Sequence, residues 1–263
     1  MNEQTAKNIN ILGRFCGKRD IEALTAYNLQ DKYGLKQADV MVLFGGSVLS
    51  GGDVLANAMK NGVAGKYVIV GGAGHTTETL RQRLHEDYPQ IITEGLPEAE
   101  IFNRYLTVVY GLKADYLETK STNCGNNITY LLDLLKRQGI KFRSIILCQD
   151  ATMQHRMEAG LRKYISDDDV IINFAAYKAE ITIHNGQLDY SEDIHGMWDI
   201  DRYVNLLMGE IPRLTDNADG YGPNGKNFIA HVDIPKEVIK AFEELKKVYG
   251  EDTRKANPLY ASN

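Results

Sequence analysis

The sequence has no excess of positive charge: 30 Lys and Arg stand against 35 Asp and Glu, a net charge of −5. With no global attraction to phosphate backbones or anionic lipid, a dedicated nucleic-acid binder is not expected. Cysteine is scarce. Cys16, Cys124 and Cys148 are odd in number and form no CxxC, so neither a disulfide framework nor a thiolate zinc site has a basis. The six histidines occur singly, without HExxH or a similar pair on one helix face, and give no support for a metal site. No run approaches the roughly 20 apolar residues that span a bilayer. The start, MNEQTAKNIN, lacks a basic segment followed by an apolar stretch. The expectation is a cytoplasmic protein with no membrane partner. Gly-Lys-Ser/Thr is absent, which excludes a P-loop, and Ser47 lies in Gly46-Ser47-Val48 instead of the GxSxG of a nucleophile elbow.

What is present is the material of a packed core: 43% hydrophobic and 25% charged residues over 263 positions. At roughly 150 residues per domain, that length fits one large domain with a smaller lobe. ADVMVLF (38–44) reads as a buried strand stopping at Gly45 and Gly46, followed by a helix from Asp53 to Asn61. KYVIV then ends at Gly71 and Gly72 before a helix striped by Leu80 and Leu84. The spacing predicts a further helix over 98–110, a short strand at Asp115 to Glu118, a helix over 127–138 after the polar turn STNCGNN, and the strand SIILC. After QDAT come a helix striped by Met153, Met157, Leu161 and Tyr164, and a strand over 170–175. Asn185-Gly186 marks a hairpin, Met197 to Leu207 a helix, 214–227 a polar loop, and Pro235 opens a last amphipathic helix. Alternation of this kind predicts an α/β fold, a mostly parallel sheet with helices on both faces over 36–195. Residues 1–35 and 196–263 are expected to pack beside it as a smaller helical lobe.

In such a sheet, ligands bind beyond the carboxyl ends of the strands. The loops there are FGGS (44–47), GGAGHTT (71–77), STNCGNN (121–127) and CQDAT (148–152). Their glycines, Gly45, Gly46, Gly71, Gly72 and Gly74, either let backbone N–H groups approach a ligand or simply make tight turns. Ser47, Ser121, Thr122, Asn123, Asn127 and Gln149 offer hydroxyls and amides, or cap the next helix. His75 and Asp150 are the acid/base candidates. Glu98 suits a ribose hydroxyl or a helix dipole. Arg156, off its helix's apolar stripe, suits a carboxylate or phosphate and is expected to share a pocket with Glu98, its loss leaving stability nearly unchanged. Trp198, Arg202 and the loop at Asp219 to Tyr221 are expected near this cleft.

The order GGS, GGAGH, Glu98-Ala99, STNCGNN and QDATMQHR resembles the ElyC/SanA/YdcF family, and the tail GMWDIDRYVNLLMGEIPRLTDNADGYGPNGKNFIAHVDIP resembles its YdcF branch. The resemblance covers nearly the whole chain and implies a Rossmann-like fold, with S-adenosylmethionine binding associated with that branch. The positions matching the family's pattern are Gly45, Gly46, Gly71, Gly72, Glu98, Ser121, Asn123, Asn127 and Arg156. Asn126 stands where the family usually has Glu, and Met153 where more distant members have His, which bears on any acid/base mechanism built there. The expected function is binding of a small adenosyl or nucleotide-like ligand at the strand ends. The alternatives are a non-enzymatic ligand sensor and a hydrolase or phosphoryl-group enzyme using the same cleft.

Overall fold

The segment ADVMVLF is apolar at both alternations, with Val40, Val42 and Phe44 on one side and Met41 and Leu43 on the other, all buried. A strand with two apolar faces belongs at the centre of a sheet covered on both sides. It lies there in the computed structural model, which describes residues 3–74 and 76–250. In chain order the elements are α1 (Glu3–Cys16), α2 (Ala26–Tyr33), β1 (Ala38–Phe44), α3 (Ser50–Lys60), β2 (Ala64–Val70), α4 (Thr77–Asp87) and α5 (Glu98–Tyr105). A π-helical turn (Leu106–Tyr110) leads to β3 (Tyr116–Glu118), α6 (Cys124–Arg137), β4 (Ser144–Cys148), α7 (Gln154–Arg162) and β5 (Val170–Asn173). The hairpin β6 (Ile181–His184) and β7 (Gln187–Tyr190) precedes α8 (Ile200–Leu214) and α9 (Lys236–Tyr249).

Strands β1 to β5 form one parallel sheet in the order β3-β2-β1-β4-β5. The chain winds outward from β1 to β3, then starts again at β4 on the other side of β1, so its direction reverses between β1 and β4 in the Rossmann-like manner. The strand periodicity sorts the covering helices. Val40, Val42, Val68, Val70, Ile145 and Leu147 pack against Ile128, Leu131 and Leu135 of α6 and Met157 and Leu161 of α7. Met41, Leu43, Ile69, Ile146 and Ile172 face the other way, into a cluster with α3, α4 and α5.

The terminal helices pack on one another, α1 against both α8 and α9. They share the core of the second sheet face: Ile9 and Leu12 of α1, Val204 and Leu207 of α8, and Val238 of α9 belong to the same cluster as Met41 and Ile146. Residues 251–263 of the expected lobe lie outside the described residues. The hairpin forms as its turn residues require, since Asn185 and Gly186 both take positive φ, 50° and 77°. Several boundaries differ from the periodic reading: α3 starts at Ser50, α8 runs from Ile200 to Leu214 and β5 ends at Asn173. The helix expected over 98–110 changes to π-helix at Leu106, and STNCGNN is not all turn because Asn123 caps a helix starting at Cys124. No described helix is long and apolar enough to cross a membrane.

Candidate functional site

Parallel pairing brings the loops after β1, β2, β3 and β4 onto one rim, but the glycines there do different work from one another. A Cβ on Gly45 would stand 2.5 Å from Glu98 Oε2, one on Gly71 3.2 Å from Gly45 Cα, and one on Gly72 2.2 Å from Ser121 O. Their main-chain donors are taken: Gly45 N–H by Val70 O, Gly71 N–H by Glu118 O and Gly72 N–H by Ser121 O. Gly45, Gly71 and Gly72 therefore allow close approach of Glu98 and of neighbouring backbone, the tight-turn side of the expectation, with their N–H groups engaged within the protein. Gly74 N–H likewise donates to Thr77 Oγ1. Gly46 is different. It is half-buried, and the nearest atom to a Cβ there would be Gln149 Oε1 at 3.7 Å. His75 lies outside the described residues.

Glu98 is 7% exposed beneath these turns, and its Oε1 accepts hydrogen bonds from the hydroxyls of Thr76 and Thr77. Its own N–H and that of Ala99 donate to Gly72 O and Gly71 O. Burial pushes the Glu98 carboxyl above the ordinary value, with Thr77, Thr76 and Arg81 acting in the opposite direction. The residue ties α5 to the ends of β1 and β2, a structural duty that its reading as an open ribose acceptor did not include.

After β3, the Glu118 carboxylate accepts from the N–H groups of Lys120 and Ser121. Asn123 Oδ1 accepts from Asn126 N–H at 3.0 Å, and Asn126 Oδ1 accepts from the N–H groups of Thr122 and Asn123 at 2.9 Å. This is a capping box with Asn in the place of Glu. Asn123 and Asn126 thus close the end of α6, while Thr122 is exposed and Asn127 half-buried beside it. Cys124 Sγ lies 3.9 Å from Met153 Sδ, joining the first turns of α6 and α7.

After β4, Gln149 N–H donates to Gln154 Oε1, and Gln149 Oε1 accepts from Asp150 N–H. The Asp150 carboxylate is unevenly occupied: Oδ1 accepts from Thr152 N–H, Thr152 Oγ1 and Tyr177 Oη, and, among the described residues, Oδ2 only from Trp198 Nε1 at 3.3 Å. As a base, Asp150 would have to act through Oδ2, whose one partner here is Trp198. Arg156 is paired within the protein. Its Nε and Nη2 donate to Glu210 Oε2 and Oε1 at 2.5 and 2.9 Å, and the side chains are 11% and 1% exposed. The guanidinium fork expected to take a ligand anion is closed by α8 in a buried bidentate pair.

Trp198 reaches the rim as its sequence context suggested, and it brings residues that carried no signal. Arg83 of α4 donates to Ser47 O at 2.8 Å and Met197 O at 3.1 Å, and its guanidinium carbon lies 4.3 Å from the centre of a Trp198 ring. Burial pushes the Arg83 pKa down, against the charges of Asp150 and other nearby groups. Arg202 stands on the same indole at 5.5 Å. Arg83, Tyr177, His195 and Asp53 were not legible because their partners lie on other elements. The tail residues Trp198 and Arg202 were what marked the region.

Six buried side-chain atoms have no hydrogen-bond partner among the described residues: Ser47 Oγ after β1, Ser121 Oγ after β3 and Gln149 Nε2 after β4 lie in the rim loops, and the others are Ser50 Oγ, Asp169 Oδ1 and Tyr190 Oη. Ser47, Ser121 and Gln149 are 1%, 2% and 1% exposed. Among the described residues no cluster of His, Cys, Asp and Glu is arranged to hold a metal ion. No protein-family model matches the chain.

Proposed function

We propose that this chain binds a small adenosyl or nucleotide-like ligand at the switch point between β1 and β4, with S-adenosylmethionine the compound suggested by the resemblance to the ElyC/SanA/YdcF family. The observation that supports this reading is the set of unpartnered buried atoms on one rim, Ser47 Oγ and Gln149 Nε2 from the adjacent loops after β1 and β4 and Ser121 Oγ from the loop after β3. Native proteins rarely leave such atoms unsatisfied, because each costs about 1–3 kcal/mol. Two hydroxyls and an amide N–H suit sugar hydroxyls and a base edge. They suit a phosphate less, and the cation expected to receive an anion, Arg156, is closed by Glu210. Gly46 supplies the one turn in this set without a backbone neighbour in the way. The hydrolase alternative, with His75 or Asp150 as base, draws less support, since Asp150 already accepts four hydrogen bonds.

Calorimetric titration with S-adenosylmethionine and with adenosine tests the reading on wild type, Ser47→Ala and Ser121→Ala. Each variant is expected to lose about 1 kcal/mol of binding while keeping or raising the melting temperature of the unliganded protein, because neither hydroxyl has a partner to lose. Absence of binding by wild type, or equal affinities in all three proteins, would defeat it.

A further inference from the structure

Residues 191–199 run from β7 to α8 without regular structure, yet they are tied down at both ends of a short span. His195 Nδ1 stands 3.0 Å from Asp53 Oδ2 in the first turn of α3, and Nε2 stands 3.1 Å from Asp87 Oδ2 at the end of α4. Three residues later, Trp198 Nε1 donates to Asp150 Oδ2 beyond β4. Between them, Met197 O accepts from Arg83, whose other terminal nitrogen donates to Ser47 O. The segment is therefore fastened to the two residues, Ser47 and Asp150, that flank the switch point. Beside it lies an open groove of about 720 Å³ lined in part by Arg83, Tyr190, Gly196 and Trp198. Ser47 and Gln149 are 1% exposed in this arrangement, so a ligand reaches their unpartnered atoms only if a cover moves.

We infer that residues 191–199 form a strap over the ligand site, with Trp198 as its plug and His195, gripped between Asp53 and Asp87, as a latch that loosens when the imidazole loses its proton. The inference rests on the ligand-site reading above. A ring with carboxylates on both nitrogens donates from both only when it carries two protons. The neutral ring keeps one N–H and turns a lone pair on the other carboxylate. The groups facing His195 all favour the charged form or are silent. Asp53 faces it from α3 and Asp87 from α4, while the rings of Tyr88 and Tyr105 lie 6.3 Å away. Tyr110 acts through Asp53, with Lys60 over its outer face. Burial lowers the His195 pKa, but the bonds and charges of Asp53 and Asp87 outweigh it and the net shift is upward. The sign follows: the latch is complete below the ordinary histidine value of about 6.5 and is lost as pH rises through the raised value.

Trp198 is the only tryptophan in the chain, so its fluorescence reads the strap directly. In the unliganded full chain, acrylamide quenching and emission wavelength are expected to rise in a single step centred above pH ~6.5. His195→Gln should abolish the step and leave quenching high throughout. Asp87→Asn, at a half-exposed helix end, should move the step to lower pH while the fold is kept. A flat wild-type profile, or a step that survives in His195→Gln, overturns the latch. Titration with S-adenosylmethionine separates the two readings. Binding with an association rate that rises along the quenching step supports the strap as the site's cover. Binding with no step defeats the strap alone. A step with no binding upholds the latch and removes the site it was read to cover.

Discussion

Tyr105 and Tyr110 stand five residues apart and donate their hydroxyl hydrogens to the same oxygen, Oδ1 of Asp53. An α-helix aligns residues three or four apart, whereas a π-helix aligns i with i+5. The π-helical turn Leu106–Tyr110 is what sets both rings on one side. Replacing Tyr105, buried and bonded to a charged acceptor, with Phe should cost about 1.5–3 kcal/mol. Tyr110→Phe, at a half-buried site, should cost less. The double variant should fall short of or exceed the sum, since the two share an acceptor. Urea denaturation of the four proteins measures this, and strict additivity would show that Asp53 does not couple them.

Arg156→Ala should destabilise the fold severely, by about 3–5 kcal/mol, because it leaves Glu210 buried with an uncompensated charge. This reverses the expectation from sequence that its loss touches binding and not stability. Arg156→Met with Glu210→Leu, which removes both charges, should recover most of the loss. A melting temperature of Arg156→Ala near that of wild type would place the pair in solvent, contrary to its burial.

The sheet was legible because its signal is local. Each sheet strand but the short β3 carries its own short apolar run, and the glycine turns and helix stripes follow within a few residues. What lay hidden depends on contacts between distant segments. Arg156 does sit off the apolar stripe of α7, as its spacing says, but the side it occupies is covered by α8, and Glu210 is 54 positions away. Gly45 and Gly71 were recognisable as turn residues, yet the reason for them is Glu98, which α5 inserts beneath both. Nothing in LTVVY announces a π-helix, since the register is set by Asp53 on another element.

Asn126 tests whether the capping box at the start of α6 depends on its side-chain acceptor. Its side chain accepts from two N–H groups at the start of α6, so Asn126→Ala should cost about 1 kcal/mol. Asn126→Glu should cost nothing and gain up to about 1 kcal/mol, because a carboxylate makes the same reciprocal cap and faces the positive end of the helix dipole. Thermal melts of the two variants decide it: equal losses for Ala and Glu would show that the box does not depend on an acceptor at this position.

Glu98 makes the pH dependence of stability specific. Its pKa is raised in the folded chain, with burial as the leading cause, so between the ordinary and raised values the native state binds a proton that the unfolded state lacks. Stability then falls as pH rises through that window and stays lower above it. This is the opposite of a carboxylate held by a salt bridge, whose contribution appears as pH rises. Glu98→Gln keeps an acceptor for Thr76 and Thr77 at Oε1 and removes the charge that burial disfavours. The variant should therefore melt above wild type at neutral pH. Its advantage should shrink as the pH is lowered and vanish below the ordinary glutamate value of about 4.3. Differential scanning calorimetry from acid to neutral pH measures the crossing, and a variant less stable than wild type at neutral pH but equal to it in acid would show that the Glu98 carboxylate is stabilised by its surroundings and not strained by them.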